Sequence, residues 1–308
     1  MTLEQLRIFV AVATREHMTQ AAQDLHLTQS ATSAAIAALE ARHATRLFDR
    51  VGRRIILTEA GRLFLIEAKA VLARATAAEA ILSDLGDMRL GSLSIAASQT
   101  IANYWLPRVL QIYRERFPGI AIKLTIGNTT TVSQDVISGT VDLGLIEGEV
   151  TGEDLVIDHI SDDELVLVAA PGHPWPGIET DVATALKEVR WILREPGSGT
   201  RSIFEAALPQ FGLNVSDLSV ALELPSNEAV RTAVEAGAGV TVMSRLVVSQ
   251  ALEAGHLRAL PLIFPRRRFY LLRHRERYLA RAAREFQSII GSPDQPTSLA
   301  AIRATRSP

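Results

Sequence analysis

Cysteine is missing from all 308 residues, so no disulfide, thiolate metal site, iron–sulfur cluster or cysteine nucleophile is available. No run approaches the roughly 18 unbroken apolar residues needed to span a bilayer. The opening Met1-Thr2-Leu3-Glu4-Gln5 lacks the charged leader and apolar core of a secretory signal, and a cytoplasmic protein with no membrane partner is expected. Net charge is scarce as well: 32 Lys and Arg against 34 Asp and Glu leave −2, which excludes a chain-wide polyanion-binding surface but not a local one. The seven histidines include no pair at the i, i+4 spacing of a helical zinc site, so no metal and no cofactor are expected.

What is present is ordinary globular composition, 47% hydrophobic and 21% charged. At about 100 to 200 residues per domain, the length implies two or three domains. Three regimes follow one another without internal repeats: a helical block to about Thr58, an alanine-rich helical run to about Leu85, and strands alternating with helices from Gly91. One basic cluster stands out, with Arg42, Arg46, Arg50, Arg53 and Arg54 set against the single acid Asp49.

Leu3, Leu6, Phe9, Val10 and either Val12 or Ala13 recur at helical spacing and predict a packing helix. Two further helices, residues 19–25 and 28–41, flank a short turn at His26-Leu27; Ala21 and Ala22 permit close approach, and Thr28 suits an N-cap. Residues 48–58 read as strand, glycine-containing turn and strand, ending at a helix cap, which is a wing. From Glu59, Phe64, Ala68, Val71, Ala75, Ala78, Leu82 and Leu85 step by four and three, as a helix with a partner does. The alternative is a helix packed on its own domain. Apolar runs 93–97, 120–126, 143–146, 165–169, 240–243 and 269–272, alternating with helical stretches such as 105–117, carry the signature of α/β layers.

The string Phe9-Val10-Ala11-Val12-Ala13, Thr19-Gln20-Ala21-Ala22, Leu27-Thr28-Gln29-Ser30-Ala31-Thr32-Ser33, Ile36, Leu39-Glu40, Leu47-Phe48-Asp49-Arg50 and Leu57-Thr58-Glu59-Ala60-Gly61 resembles the DNA-binding domain of LysR-type transcriptional regulators. Two departures occur: Glu16-His17-Met18 replaces the usual Gly-Ser-aromatic entry to the first motif helix, and Ala44-Thr45 replaces a common Leu-Gly. The resemblance implies an α/β protein with a winged helix-turn-helix at 1–58, a linker and dimerisation helix at 59–90, and an effector-binding domain at 91–308. That last domain is similar to two-lobed periplasmic binding proteins, with lobe I at 93–161 plus 267–290 and lobe II at 162–265.

A recognition helix needs short polar side chains at the end that enters the major groove. Thr28, Gln29, Ser30, Thr32 and Ser33 meet that need, and Arg50, Arg53 and Arg54 on the wing suit phosphates or the minor groove. A solvated polar helix start and a solvated charge run are the bland alternatives.

In a cleft between α/β lobes, ligands sit at strand ends and helix starts. Ser98-Gln99-Thr100, Asn128-Thr129-Thr130 and Gly197-Ser198-Gly199-Thr200-Arg201 occupy such places; Glu147 and Asn227 are weaker candidates that ordinary caps explain nearly as well. Arg201 would bring a planar fork to an anionic effector, although a structural glycine turn also explains that string. Residues 195–201 resemble the family branch that includes regulators of carbon dioxide fixation and of sulfur or sulfite metabolism. The arginines around 266–284 read as a solvated or intersubunit face. Partners implied are double-stranded operator DNA, a small anionic effector and a second copy of the chain, as homodimer and homotetramer, with RNA polymerase a further partner the resemblance allows.

An enzyme is the first rival reading. Gly197-Ser198-Gly199-Thr200 lacks the lysine and spacing of a Walker loop and is no esterase elbow, and Gly237-Ala238-Gly239 is a fragment of a dinucleotide fingerprint. No enzyme is expected. A solute-binding protein of a transporter, the second rival, would need export and has no use for the N-terminal motif.

Overall fold

The computed structural model describes residues 1–51, 54–85, 91–175 and 181–291. Described residues up to 85 form one compact unit; those from 91 onward, apart from 137–141, form another.

The first unit opens with α1 (Leu3–Arg15), started by a capping box in which Thr2 Oγ1 accepts from Gln5 N and Gln5 Oε1 accepts from Thr2 N. Helices α2 (Met18–Asp24) and α3 (Gln29–His43) follow. His26 takes a left-handed φ of 55° between them, and Leu27 N reaches back to Ala22 O at 2.9 Å, closing the turn. Leu6, Phe9, Val12, Ala21, Ile36 and Leu39 are buried together, and the Phe9 ring lies 5.4 Å from Phe48 and 4.8 Å from Phe64. The departures from the family pattern acquire local explanations. Glu16 ends α1 in the left-handed region, and His17 Nδ1 accepts from Gln20 N to cap α2. Ala44, with φ 48°, ends α3, and Thr45 N bonds Glu40 O.

β1 (Phe48–Val51) and β2 (Arg54–Leu57) pair antiparallel as the wing. The 27-residue α4 (Glu59–Leu85) begins where Thr58 Oγ1 accepts from Gly61 N while donating to Arg46 O. The four-and-three seam read from the sequence is only partly a free face. Ala68 is buried and Phe64 packs into the unit's own core, because the first turns of α4 must cover α1. Leu63, Ile66, Val71, Ile81 and Leu82 are instead exposed on this chain.

The second unit holds two five-stranded sheets. β3 (Gly91–Ser98) runs through a π-helical turn, Ile101–Trp105, into α5 (Leu106–Arg116), and then come β4 (Ile120–Gly127), α6 (Thr129–Ser138), β5 (Leu143–Glu147) and β6 (Leu155–Asp163). After β7 (Leu165–Ala169), α7 (Val182–Glu188), β8 (Arg190–Arg194), α8 (Gly199–Ala207), β9 (Ser219–Leu224), α9 (Asn227–Glu235), β10 (Val240–Ser244), α10 (Arg245–Glu253) and β11 (Arg258–Ile263), the chain returns through β12 (Arg267–His274) to α11 (Arg281–Ile290). Lobe I has strand order β4-β3-β5-β12-β6 and lobe II β11-β7-β10-β8-β9.

Two crossings therefore join the lobes, β6 into β7 and β11 into β12, and β6 and β12 pair antiparallel with Arg267 opposite Asp163. Strands β5, β7 and β10 are buried at every position. Leu165, Leu167 and Ala169 feed one face of the lobe II sheet, and Val166 and Val168 feed the other, so the run is apolar without alternation. The sequence reading missed β6, β9 and β11. β9 is an edge strand with exposed, mixed residues and shows no apolar run, and in β11, also at an edge, Pro261 interrupts the apolar run and masks it as a strand.

Candidate functional site

At the start of α3, Thr28 Oγ1 accepts from Ala31 N at 3.2 Å and lies 3.1 Å from Ser30 Oγ. Gln29 and Ser30 are exposed and Ser33 is partly so. Thr32 corrects the expectation for this helix: it is fully buried, its hydroxyl donates to Thr28 O at 3.1 Å, and it supports the helix start instead of facing a groove. Arg42 and Arg46 are exposed near the far end of α3. Arg50 and Arg54 lie on the two paired wing strands, and Arg53 lies outside the described residues. One organising residue entered the sequence reading only as part of the resemblance, with no role of its own. Glu40 Oε1 accepts from Leu47 N at 2.7 Å and Phe48 N at 3.1 Å, tying α3 to the wing.

In the second unit, the polar residues read from the sequence do converge between the lobes. Ser98 Oγ donates to Glu147 Oε2, both buried at neighbouring strand ends, and Thr129 Oγ1 donates to Glu147 O at 2.7 Å. Gln99 Nε2 donates to Pro225 O at 2.8 Å and its Oε1 accepts from Asn227 N at 2.9 Å, while Asn227 Nδ2 donates to Thr100 Oγ1 at 3.1 Å. Asn128 Nδ2 donates to Glu195 Oε1 at 3.2 Å, and Thr130, whose side chain is exposed, donates its N–H to Gly197 O at 3.3 Å. Asn103 and Tyr104 on the π-helical turn both donate to Glu228 Oε1. Burial, with the Glu228 carboxylate beside it, raises the Tyr104 hydroxyl pKa to about 12, so it remains a donor.

The string at 197–201 is shaped by its glycines. Gly197 has φ +87°, and a Cβ on Gly199 would lie 2.2 Å from Glu147 O, so only glycine admits this approach of α8 to β5. Ser198 precedes α8 without a side-chain cap, leaving the first-turn amides unclaimed by it. Arg201 does not present the free fork expected of it. Its guanidinium meets Glu205 at 2.6 Å, Glu223, and Arg194 O at 2.9 Å; burial opposes its charge, but the two carboxylates outweigh that and raise its pKa, so it is firmly cationic but committed.

Two other arginines border the cleft. Arg194, at the end of β8, is bidentate to Glu195 at 2.7 and 2.9 Å and donates to Asn227 Oδ1. Arg267 corrects the reading of the arginine run as solvated: its side chain is 0% exposed. It donates to Asp163 at 2.6 Å and to Thr200 Oγ1 at 2.8 Å, and lies 3.6 Å from Glu147. Its Nη2 has no partner among the described residues. Ser244 Oγ of lobe II reaches the same Asp163 at 2.9 Å. Only the antiparallel pairing of the two crossing strands creates this cluster, and no spacing in the sequence announces it. Among the described residues no group of His, Asp and Glu is placed to hold a metal ion, and no helix is long and apolar enough to cross a membrane.

Comparison with known proteins agrees over nearly the whole length. Residues 3–62 match the family described as bacterial regulatory helix-turn-helix protein, lysR family, and residues 86–292 match the LysR substrate binding domain. The chain is 38% identical to the uncharacterized HTH-type transcriptional regulator YeiE of Escherichia coli (strain K12), over 92% of this chain and 95% of that one. It is 34% identical to the RuBisCO operon transcriptional regulator of Allochromatium vinosum, over 94% and 95%. Among solved structures, the CcmR regulatory domain of Synechocystis PCC6803 in complex with 2-PG aligns with TM-score 0.58 and 27% identity, over 65% of this chain and 95% of that one. The Allochromatium vinosum relative, named for the RuBisCO operon, falls in the carbon dioxide fixation branch that residues 195–201 resemble. This chain belongs to the LysR family of transcriptional regulators, a family of DNA-binding proteins and not of enzymes.

Proposed function

We propose that the chain is a cytoplasmic regulator that reads operator DNA with Gln29, Ser30, Ser33 and Thr28 at the start of α3, steadied by Arg50, Arg53 and Arg54 on the wing, and that it responds to a small anion held between the lobes of its second unit. It works as a homodimer or a pair of dimers, since half-sites are read by paired helices, and it catalyses no reaction. The domain boundaries that fit this reading are 1–58, 59–90 and 91–308.

The observation that carries the effector reading is the start of α8. Uncapped first-turn amides, Thr200 Oγ1 and the buried Arg267, whose Nη2 has no partner among the described residues, meet there, and such a donor set favours an oxyanion. Ser98, Thr100, Asn128, Thr129 and Asn227 supply further polar contacts, and Glu147 can accept from a hydroxyl of the same ligand. The 2-PG complex of a relative supports a small ligand in this domain. For the anion to regulate, it must bind one arrangement of the lobes better than the other.

The test is twofold. Footprinting of genomic fragments with the purified chain should reveal protected sites whose neighbours name the pathway, and titration with a panel of small anions should alter that protection. Ser98→Ala with Thr200→Val should abolish the response while leaving operator affinity intact. A double variant that responds normally would remove these residues from the site.

A further inference from the structure

In the cleft, the protein's own carboxylate already sits where a ligand's would. Glu195 grips the Arg194 fork through both oxygens, at 2.7 and 2.9 Å, the geometry in which an arginine binds a carboxylate or a phosphate. The two partners differ in freedom. Arg194 is 4% exposed at the end of a buried strand, with Nη1 held by Asn227, whereas the Glu195 side chain is 22% exposed in the loop beyond it. One of the two can turn out into solvent, and it is the acid.

Glu195 also spans the lobes. Its Oε1 accepts from Arg194 of lobe II and from Asn128 Nδ2 of lobe I, next to the bond from Thr130 N to Gly197 O. Burial opposes its charge, but the Arg194 contact and the Asn128 bond hold its carboxyl below the ordinary range, so it is anionic at neutral pH.

Resting on the reading of the cleft as an anion site, we infer that Glu195 is an internal stand-in for the effector. A carboxylate or phosphate group of the ligand displaces it from Arg194 and inherits both Arg194 and Asn128. The unliganded lobes are then bridged by an intramolecular anion, and binding exchanges that bridge for one made through the ligand. Affinity is set low by the competitor, and selectivity falls on anions with two oxygens in one plane or a tetrahedral head able to engage the fork.

The experiment is calorimetric titration of the full chain and of Glu195→Gln with inorganic phosphate, sulfate and malonate, with melting curves to verify folding. Removing the competing charge should tighten binding of at least one anion about tenfold, and the ranking of phosphate against malonate separates the two head-group chemistries. Glu195→Asp, too short to hold both donors, should act in the same direction and serves if the glutamine variant folds poorly. Unchanged or weaker binding in these variants, with wild-type binding still dependent on Ser98 and Thr200, makes Glu195 a structural partner and overturns the inference alone. If neither wild type nor variant binds any of the three anions at millimolar concentration, the anion-site reading falls with it.

Discussion

The start of α3, proposed to read DNA, and the interlobe cleft are both built from short polar side chains, yet they hold them in opposite states. Gln29 and Ser30 stand exposed and reach outward, with Thr28 and buried Thr32 holding the helix start beneath them. In the cleft, Gln99, Asn128, Glu195 and Asn227 are each bonded to the facing lobe. A surface that docks on a fixed duplex keeps its donors open to solvent, where waiting costs little. A site that must switch stores its donors in internal bonds, which a ligand has to exchange, so binding and rearrangement become one event.

The sharpest way to break that comparison is at the crossing strands. Arg267→Met leaves Asp163 and Glu147 buried beside no cation and should cost about 3–5 kcal/mol in chemical denaturation; a loss below about 1 kcal/mol would mean the cluster is not a stabilising unit. Gly199→Ala should follow at about 2–3 kcal/mol, since the added methyl meets backbone at 2.2 Å and overpacking is costly. The same methyl should also blunt any effector response.

At Gln29 the expected effect is on affinity and not stability. Gln29→Ala should lower specific operator binding by about 1–3 kcal/mol, with an unchanged melting temperature and unchanged non-specific binding in a gel-shift series. Equal losses on specific and random DNA would make Gln29 a backbone contact. Glu40→Ala should destabilise the first unit by about 1–2 kcal/mol through two amides left without their acceptor.

The smallest effect is a pH dependence. Glu195 has a folded-state pKa below its unfolded value, so its contribution to stability is present above the unfolded value and is lost as pH falls through the folded one. The difference in denaturation midpoint between wild type and Glu195→Gln should therefore shrink as the pH is lowered from neutral through the carboxylate range. A difference that grows would show the pair to be unfavourable.

Much of the first unit was legible because its signals are local: helical spacing from Leu3, a cap at Thr28, and small residues at Ala21 and Ala22. Exposure within a helix is less so, since Thr32 sits among polar neighbours but turns inward on the face shared with Ile36 and Leu39. In the second unit the buried strands announced themselves by apolar runs, and the polar segments at their ends were placed correctly at helix starts. What each cation faces was not legible. Arg201 and Arg267 look alike in a linear reading, yet one is paired with surface acids and the other is sealed under the lobes.

Periodicity, caps and the order of elements act over a few residues, so the amino-acid string alone settled the helix-turn-helix, the wing and the alternation of strands and helices. Which arginine meets which carboxylate depends on strands far apart in the chain, such as Asp163 and Arg267 brought opposite each other by antiparallel pairing. Charges interact through space, not along the backbone, and for that reason the electrostatics of the cleft were decided by the tertiary structure.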